Sequence, residues 1–143
     1  AHLIEIELTE SAIFDNLDNI YVFTQKMHSY GFSIAMDDFG TGYSSLGMLK
    51  NSPADVVKID RTFVRDILTS QFDATFIHFV VALCHDVNIQ VCLEGVEREE
   101  EFDRVRLMGL DFIQGFLFGK PVPPDVFERD FLMKSNASGS LEG

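Results

Sequence analysis

The chain has 143 residues, of which 46% are hydrophobic, so it is long and apolar enough to form one folded domain with a buried core. Its 23 acidic residues outnumber its 11 Lys and Arg residues and give a formal net charge of −12. This charge argues against non-specific binding to DNA or to an anionic membrane surface. An anionic ligand would require divalent cations, which screen carboxylates and bridge to phosphate oxygens.

The cysteines and the apolar stretches indicate a cellular compartment. Cys84 and Cys92 stand in apolar segments without C-x-x-C spacing, which predicts reduced, buried thiols rather than a zinc site or a disulfide framework. The longest mostly apolar stretches, such as TFIHFVVALC, are much shorter than the roughly 20 residues of a membrane-spanning helix. The first residues lack the basic and apolar segments of a secretory leader. These features predict a cytoplasmic protein without a membrane segment.

Strand-like and helix-like segments alternate along the chain from Leu3 onward. The first strand, LIEIEL, precedes a helix with apolar residues at helical spacing, such as Ile20, Phe23 and Met27. The following elements are the strand FSIAM, a short helix SSLGMLKN, the strand DVVKID, a long helical crossover TFVRDIL to HDVN, the strand IQVCLEGV, the helix REEEFDRVRLMG, the strand DFIQGFLFG and the helix PPDVFERDFLMK. This order predicts five strands of a parallel α/β sheet.

Two architectures fit five parallel strands, an open doubly wound sheet and part of a (β/α)8 barrel. Polar residues of functional type follow nearly every strand, which favours the barrel because all its strand-end loops share one mouth. A complete barrel needs about 250 residues. Residues 1–133 are therefore predicted to form a partial TIM-type barrel, roughly its strands 4–8 with their helices. The small, polar residues 134–143 are predicted to be a flexible tail or a cloning remnant.

Carboxylates stand at the downstream ends of three predicted strands: Glu7, the adjacent pair Asp37 and Asp38, and Glu94. The carboxyl ends of parallel strands share one rim, so these groups are expected to converge on a cation. Two adjacent ionised carboxylates repel each other unless a cation compensates them. A solvated acidic turn is the alternative for the motif MDDFGTG, since Asp and Gly are common in turns.

Lys58 lies inside an apolar strand, where its charge needs an anionic partner. A structural ion pair is the common explanation, but at a rim of carboxylates Lys58 would stabilise charge on a phosphoryl oxygen or orient a water. Glu94 is either an acid at a helix start or a general base or metal ligand. Gln114 either satisfies loop backbone or belongs to the site. For Glu7 and Glu10 the strand pattern alone leaves both possibilities open.

Five motifs taken together, in this order, resemble the EAL family of cyclic di-GMP phosphodiesterases: ELTES, DDFGTGYSSL, DVVKIDRTFV, EGVE and QGFLFGKPV. The resemblance extends from about Leu3 to about Pro123. It implies a modified (β/α)8 barrel that opens cyclic di-GMP to linear pGpG. It also implies two divalent cations, Mg²⁺ or Mn²⁺, and an activated water that attacks phosphorus.

The resemblance implies roles for the strand-end residues. Glu7 is implied to be a metal ligand, Asp37 to bridge or share the metals, and Asp38 to serve the second metal or its waters. Lys58 is implied to hold the nucleophilic water and the phosphate. Glu94 is implied to be the general base or the anchor of the water.

The resemblance extends to three other positions, and one position departs from it. Glu97 and Gln114 match positions near the second metal and the water network. Glu10 matches a glutamate that steadies the loop through Phe39 to Ser45, which is implicated in dimer-linked activation. Leu93 departs from the family, which usually has alanine before EGVE, and could crowd the strand end.

The family's Glu-Ala-Leu motif and the asparagine of its next strand, both metal ligands, would lie upstream of Ala1. The chain alone is therefore expected to be inactive and to form a homodimer or to associate with the missing half of the barrel, which would cover its strand edges. Two other functions stay open: a non-catalytic cyclic di-GMP receptor and a dimerisation module. Degenerate receptors usually lose metal or base residues, so the presence of Asp37, Lys58 and Glu94 favours the enzyme.

Overall fold

The computed structural model describes residues 2–15, 17–42 and 49–132. Its five strands form one parallel sheet, made of β1 (Glu5–Thr9), β2 (Ser33–Phe39), β3 (Val56–Ile59), β4 (Gln90–Leu93) and β5 (Phe112–Ile113). All five predicted strands are confirmed. The predicted tail, 134–143, and residues 44–48 of the predicted short helix lie outside the described residues.

The order of the strands distinguishes the two predicted architectures. Each strand pairs with its neighbours in sequence, so the sheet runs β1-β2-β3-β4-β5. A doubly wound sheet reverses its strand order at a switch point, whereas a barrel adds each strand to the same growing edge. The observed order is that of a barrel segment, with β1 and β5 as the edges of the described sheet.

The described helices are α1 (Glu10–Asp15), α2 (Leu17–Ser29), α3 (Thr62–Arg65), α4 (Gln71–Asp86), α5 (Glu99–Val105) and α6 (Pro124–Phe127), which a π-helical turn continues over Glu128–Leu132. None of them is both long and apolar enough to cross a membrane. The predicted long crossover consists of two helices, α3 and α4. Ser70 begins α4 because its side-chain oxygen accepts a hydrogen bond from the Asp73 backbone N–H at 3.2 Å.

The two faces of the sheet differ in composition. The face under the helices holds the main core, which includes Phe39, Ile59, Leu93, Ile77 and Val80. The opposite face, here called the inner face, has a small buried cluster of Ala35, Val56 and Cys92. Leu93 is fully buried on the helix side, so the departure from the family's usual alanine does not crowd the inner face.

A β-bulge in β2 places two carboxylates opposite one lysine. β2 and β3 pair regularly up to Met36 and again from Phe39, and between these residues Asp37 and Asp38 together oppose Lys58. Asp38 has a left-handed backbone with φ of 58°, a conformation that Asp adopts more readily than most residues. The extra residue also returns Phe39 to the helix-side core, where it is 1% exposed.

Candidate active site

The ammonium of Lys58 lies at the centre of a cluster of carboxylates on the inner face. Its Nζ is 2.5 Å from Glu7 Oε1, 2.7 Å from Glu94 Oε1 and 3.6 Å from Asp37 Oδ1. The Lys58 side chain is 6% exposed, whereas that of Glu7 is 48% exposed. The structure thus brings three of the predicted strand-end acids together around one buried cation.

Strand alternation explains why Lys58 points into this cluster. Val57 and Ile59 belong to the helix-side core, so Val56 and Lys58 point to the inner face. Burial opposes the charged form of Lys58, but hydrogen bonds to Glu7 and Glu94 and the charges of the nearby carboxylates outweigh it and raise its pKa. Lys58 is therefore a fixed positive charge at neutral pH.

Asp37 and Asp38 occupy different environments despite being adjacent. The Oδ1 atom of Asp37 is buried and has no hydrogen-bond partner among the described residues. Partial burial and the charges of Asp37 and Asp60 raise the pKa of Asp38, because they disfavour a further negative charge. A metal cation at this position would give the Asp37 Oδ1 atom a ligand bond and would reduce the repulsion between the carboxylates.

Asp60 is a site residue that the sequence reasoning missed. It directly follows β3, as Glu94 directly follows β4, and this position was the signal that could have revealed it. Burial alone would raise the pKa of Asp60. Hydrogen bonds from Thr62 and from the Arg61 backbone, together with the charge of Arg61, outweigh burial and lower the pKa. Asp60 therefore adds a stable negative charge beside Asp38.

Hydrogen bonds anchor the loop after β4 to the loop after β5 and to the first turn of α5. Val96 donates its N–H to Gln114 O at 3.2 Å and accepts from Leu117 N at 3.1 Å, which joins it to the loop after β5. Glu101, the third residue of α5, accepts from the backbone N–H groups of Glu97 at 2.9 Å and Arg98 at 3.0 Å. These bonds fix the backbone that leads from Glu94 to Glu97.

Replacing Glu101 with glutamine is expected to weaken this loop anchor. Glu101 is 5% exposed, and the Arg98 side chain also binds it, at 2.7 Å from Nε and 2.6 Å from the terminal guanidinium nitrogen. Loss of these charged hydrogen bonds should cost about 2 kcal/mol of unfolding free energy at pH 7, measured by urea denaturation. Glu100→Gln, on the exposed side of α5, is the matched control.

The same pair of variants gives a pH test. Burial raises the pKa of Glu101, but hydrogen bonds from Glu97 and Arg98 outweigh it and lower the pKa. Its stabilising contribution is therefore complete above the unfolded pKa of about 4.3 and is lost as pH falls through the lower folded pKa. Wild type should lose this contribution on acidification and Glu101→Gln should not, so parallel acid profiles for the two proteins would contradict the assignment.

Glu97 and Gln114 lie beside the Lys58 cluster rather than within it. Both side chains are exposed, and with Glu94, Arg61 and Phe116 they line a depression of about 180 Å³. Glu94 thus belongs both to the Lys58 cluster and to this depression.

Glu10 lies outside both groups, at the start of α1. It is 7% exposed, and its Oε2 accepts a hydrogen bond from the Gly40 backbone N–H at 3.2 Å. Glu10 therefore contacts the loop after β2 at its first glycine. Residues 43–45 of the loop that the resemblance assigns to Glu10 lie outside the described residues.

The donor atoms of the cluster suit a hard divalent cation. Glu7, Asp37 and Asp38 offer carboxylate oxygens, the ligands that Mg²⁺ and Mn²⁺ prefer, and the buried Oδ1 of Asp37 has no hydrogen-bond partner among the described residues. In the part of the chain that the structure describes, no three His, Cys, Asp or Glu side chains are arranged to hold a metal ion by themselves. The residues thus fit a divalent cation chemically as part of a larger ligand set.

Sequence comparisons assign the chain to a protein family. A family model described as the EAL domain matches residues 1–121. The cyclic di-GMP phosphodiesterase NbdA of Pseudomonas aeruginosa is 37% identical over 129 residues, which are 90% of this chain and 16% of NbdA. The chain thus spans less than a fifth of the length of this relative.

Solved structures show the same fold. The MucR phosphodiesterase of Pseudomonas aeruginosa, in a cyclic di-GMP complex, matches with a TM-score of 0.79 at 37% identity over 87% of this chain and 50% of that chain. BlrP1 of Klebsiella pneumoniae, in a manganese and cyclic di-GMP complex, matches with a TM-score of 0.78 at 36% identity over 84% of this chain and 31% of that chain. The predicted partial (β/α)8 barrel is confirmed, and the chain belongs to the EAL domain family.

Proposed function

We propose that this chain contributes the C-terminal half of a phosphodiesterase site that hydrolyses cyclic di-GMP to linear pGpG. The observation that carries the proposal is the Lys58 ammonium held between Glu7 and Glu94, with the Asp37 Oδ1 atom 3.6 Å away and without a hydrogen bond among the described residues. NbdA is named a cyclic di-GMP phosphodiesterase, and MucR and BlrP1 have been solved in complex with this dinucleotide. These relatives support the choice of substrate.

Glu7, Asp37 and Asp38 would hold two divalent cations, Mg²⁺ or Mn²⁺, together with ligands from outside this chain. Bound there, the cations would polarise the phosphodiester and lower the pKa of a coordinated water. The complexes of BlrP1 with manganese and with calcium support a divalent cation in this family. Asp37 would be one of these ligands, since its buried Oδ1 accepts no hydrogen bond among the described residues.

Lys58 and Glu94 would have complementary roles. Lys58 stays protonated because its pKa is raised, so it can stabilise negative charge on a phosphoryl oxygen or orient the water but cannot accept a proton at neutral pH. Glu94 is 20% exposed and faces the depression, where its carboxylate can accept the proton of the attacking water. The ion pair with Lys58 holds Glu94 in place for this transfer.

Three other residues would support the reaction. Glu97 and Gln114 line the depression beside Glu94, where they would bind the second metal's waters and order the water network. Glu10 would steady the loop after β2 through its hydrogen bond to Gly40. Asp37 and Asp38 lie near the end of β2, just before this loop, so the conformation of the loop would affect the metal ligands.

Residues 1–133 would act as one unit. The unpaired edges of β1 and β5 would be covered by the other half of an EAL barrel or by a second copy of the chain in a homodimer. The exposed apolar residues near the β5 edge include Phe112, Phe116 and Phe118, each about half exposed. We also propose that the protein is cytoplasmic. The proposed reaction requires neither DNA nor a membrane as a partner.

The test compares hydrolysis by wild type and by Glu94→Gln, with Mg²⁺ or Mn²⁺, in the chain alone and in the chain completed by the other half of an EAL domain. We expect conversion of cyclic di-GMP to pGpG by the completed domain only. Glu94→Gln should lower kcat by about 100-fold or more because the general base is removed.

Glu100→Gln on the exposed face of α5 is the matched control and should retain wild-type kcat. Tight binding of cyclic di-GMP without turnover by the completed wild-type domain would identify a receptor instead of an enzyme. Dimerisation without any nucleotide binding would identify a dimerisation module. Either result would overturn the proposed reaction.

A further inference from the structure

An aspartate and a histidine join β2 and β3 at the end of the sheet opposite the site. Asp55 precedes β3, and its Oδ2 accepts a hydrogen bond from the Ile34 backbone N–H at 2.8 Å. The same oxygen is hydrogen-bonded to His28 Nε2, also at 2.8 Å. The Asp55 backbone N–H donates to the Ile34 carbonyl, also at 2.8 Å. Asp55 therefore binds both backbone polar groups of one residue of the neighbouring strand.

The same arrangement joins β4 and β5. Asp111 precedes β5, and its Oδ2 accepts from the Val91 backbone N–H at 2.8 Å and lies 2.9 Å from His85 Nε2. The Asp111 backbone N–H donates to the Val91 carbonyl at 3.1 Å. We call each aspartate, with its strand residue and its histidine, a clasp; the first is Asp55, Ile34 and His28, and the second is Asp111, Val91 and His85.

The two clasps have matching sequences. HSYGFSI and HDVNIQV both follow the pattern H-x-x-[GN]-x-x-[IV], in which the histidine lies in the last turn of a helix and the last residue lies in a strand. The central residues, Gly31 and Asn88, both have a left-handed backbone, with φ of 83° and 60°. The aspartates also match, since ADVVK and LDFIQ both place a polar residue three positions after the aspartate.

The residues three positions after the clasp aspartates are Lys58 and Gln114. We propose that Asp55 and Asp111 are positioning residues, each of which sets the register of a strand so that Lys58 or Gln114 reaches the site. The proposal rests on the proposed function, because it assigns a purpose to residues of that same site. Each target lies three positions after its aspartate, about 10 Å along the strand, so the aspartates act through the strands and touch nothing at the site.

Register matters here because side chains alternate along a strand. A slip of β3 by one residue would place Val57 on the inner face instead of Lys58. The first clasp prevents this slip, because Asp55 binds the N–H and the carbonyl of Ile34 at once and a slip would break both bonds. The same holds for β5 and Gln114.

The two strands are expected to depend on their clasps to different degrees. β3 is paired on both sides, to β2 and β4, whereas β5 is paired in the described sheet to β4 alone, over the two residues Phe112 and Ile113. Fewer backbone hydrogen bonds pair β5 with a neighbouring strand, so the register of β5 should depend more strongly on the bonds of Asp111. Loss of Asp111 should therefore affect Gln114 more than loss of Asp55 affects Lys58.

The test uses NMR spectra and amide hydrogen exchange of the full 143-residue chain. Asp111→Ala should speed exchange at the Val91 amide by about tenfold or more and shift the Gln114 side-chain amide signals, while the Lys58 signals stay unchanged. Asp55→Ala should speed exchange at Ile34 and shift the Lys58 side-chain carbon signals, with a smaller effect at Gln114. Asp103→Ala, an exposed aspartate on α5, is the matched control.

A clasp with a purely stabilising role would give a different result. If Val91 or Ile34 lost protection while Gln114 and Lys58 kept wild-type signals, the proposal would be wrong. Should an alanine variant fail to fold, Asp111→Asn and Asp55→Asn retain one acceptor oxygen and should give intermediate shifts at the same targets; unchanged signals there would again reject it. Hydrolysis is not measured, so a failure of the proposed phosphodiesterase would appear in the separate assay and not here.

Discussion

Replacing Lys58 with methionine is expected to lower the free energy of unfolding by about 3 kcal/mol. Methionine retains most of the buried length of the side chain but removes the charge that Glu7, Glu94 and Asp37 share. Removing one partner of a buried ion pair leaves its counter-charges uncompensated, which costs about 3–5 kcal/mol. The lower end applies here, because Glu7 is about half exposed and can turn to water.

Urea denaturation at pH 7 measures this effect, with Lys26→Met on the exposed surface of α2 as the control. A double variant, Lys58→Met with Glu94→Gln, separates charge from packing. If the loss arises from an uncompensated carboxylate, the double variant should be more stable than Lys58→Met alone. Equal stability of Lys58→Met and wild type, or a double variant that is less stable than the single one, would contradict the central role of this cation.

The positions of the strand-end acids were predictable because they depend on local patterns. Apolar residues mark the buried part of each strand, and the polar residues that follow, such as Asp37 and Glu94, must lie at the common edge of a parallel sheet. Lys58 was predicted as an ion-pair partner on the same grounds. These inferences require only that the strands be parallel and sequential, which the fold confirms.

Features that depend on pairing between strands were not predictable. The bulge that sets Asp37 and Asp38 opposite Lys58 arises from the pairing of β2 with β3, and no residue of β2 alone specifies it. The histidines His28 and His85 share no metal-ligand spacing, and their aspartate partners lie more than twenty residues away. The repeated pattern around them was visible, but only the structure shows that it joins neighbouring strands.

Gly115→Ala is expected to be the most damaging small substitution at the site. A Cβ atom on Gly115 would lie 1.9 Å from the Val96 carbonyl oxygen and 2.5 Å from the Val96 nitrogen. Both contacts are backbone atoms, and both are already hydrogen-bonded to the loop after β5, to Leu117 and Gln114. No side chain can move aside to make room, so the two loops must separate.

The expected loss of unfolding free energy is about 3 kcal/mol or more, at the upper end for overpacking. Gly119→Ala is the matched control, because among the described residues a Cβ there meets only the ring of Phe131, at 3.3 Å, and should change stability by less than about 1 kcal/mol. Separation of the loops would also move Gln114 away from Glu94. A Gly115→Ala variant as stable as Gly119→Ala would mean that the loops after β4 and β5 do not pack as closely as this structure places them.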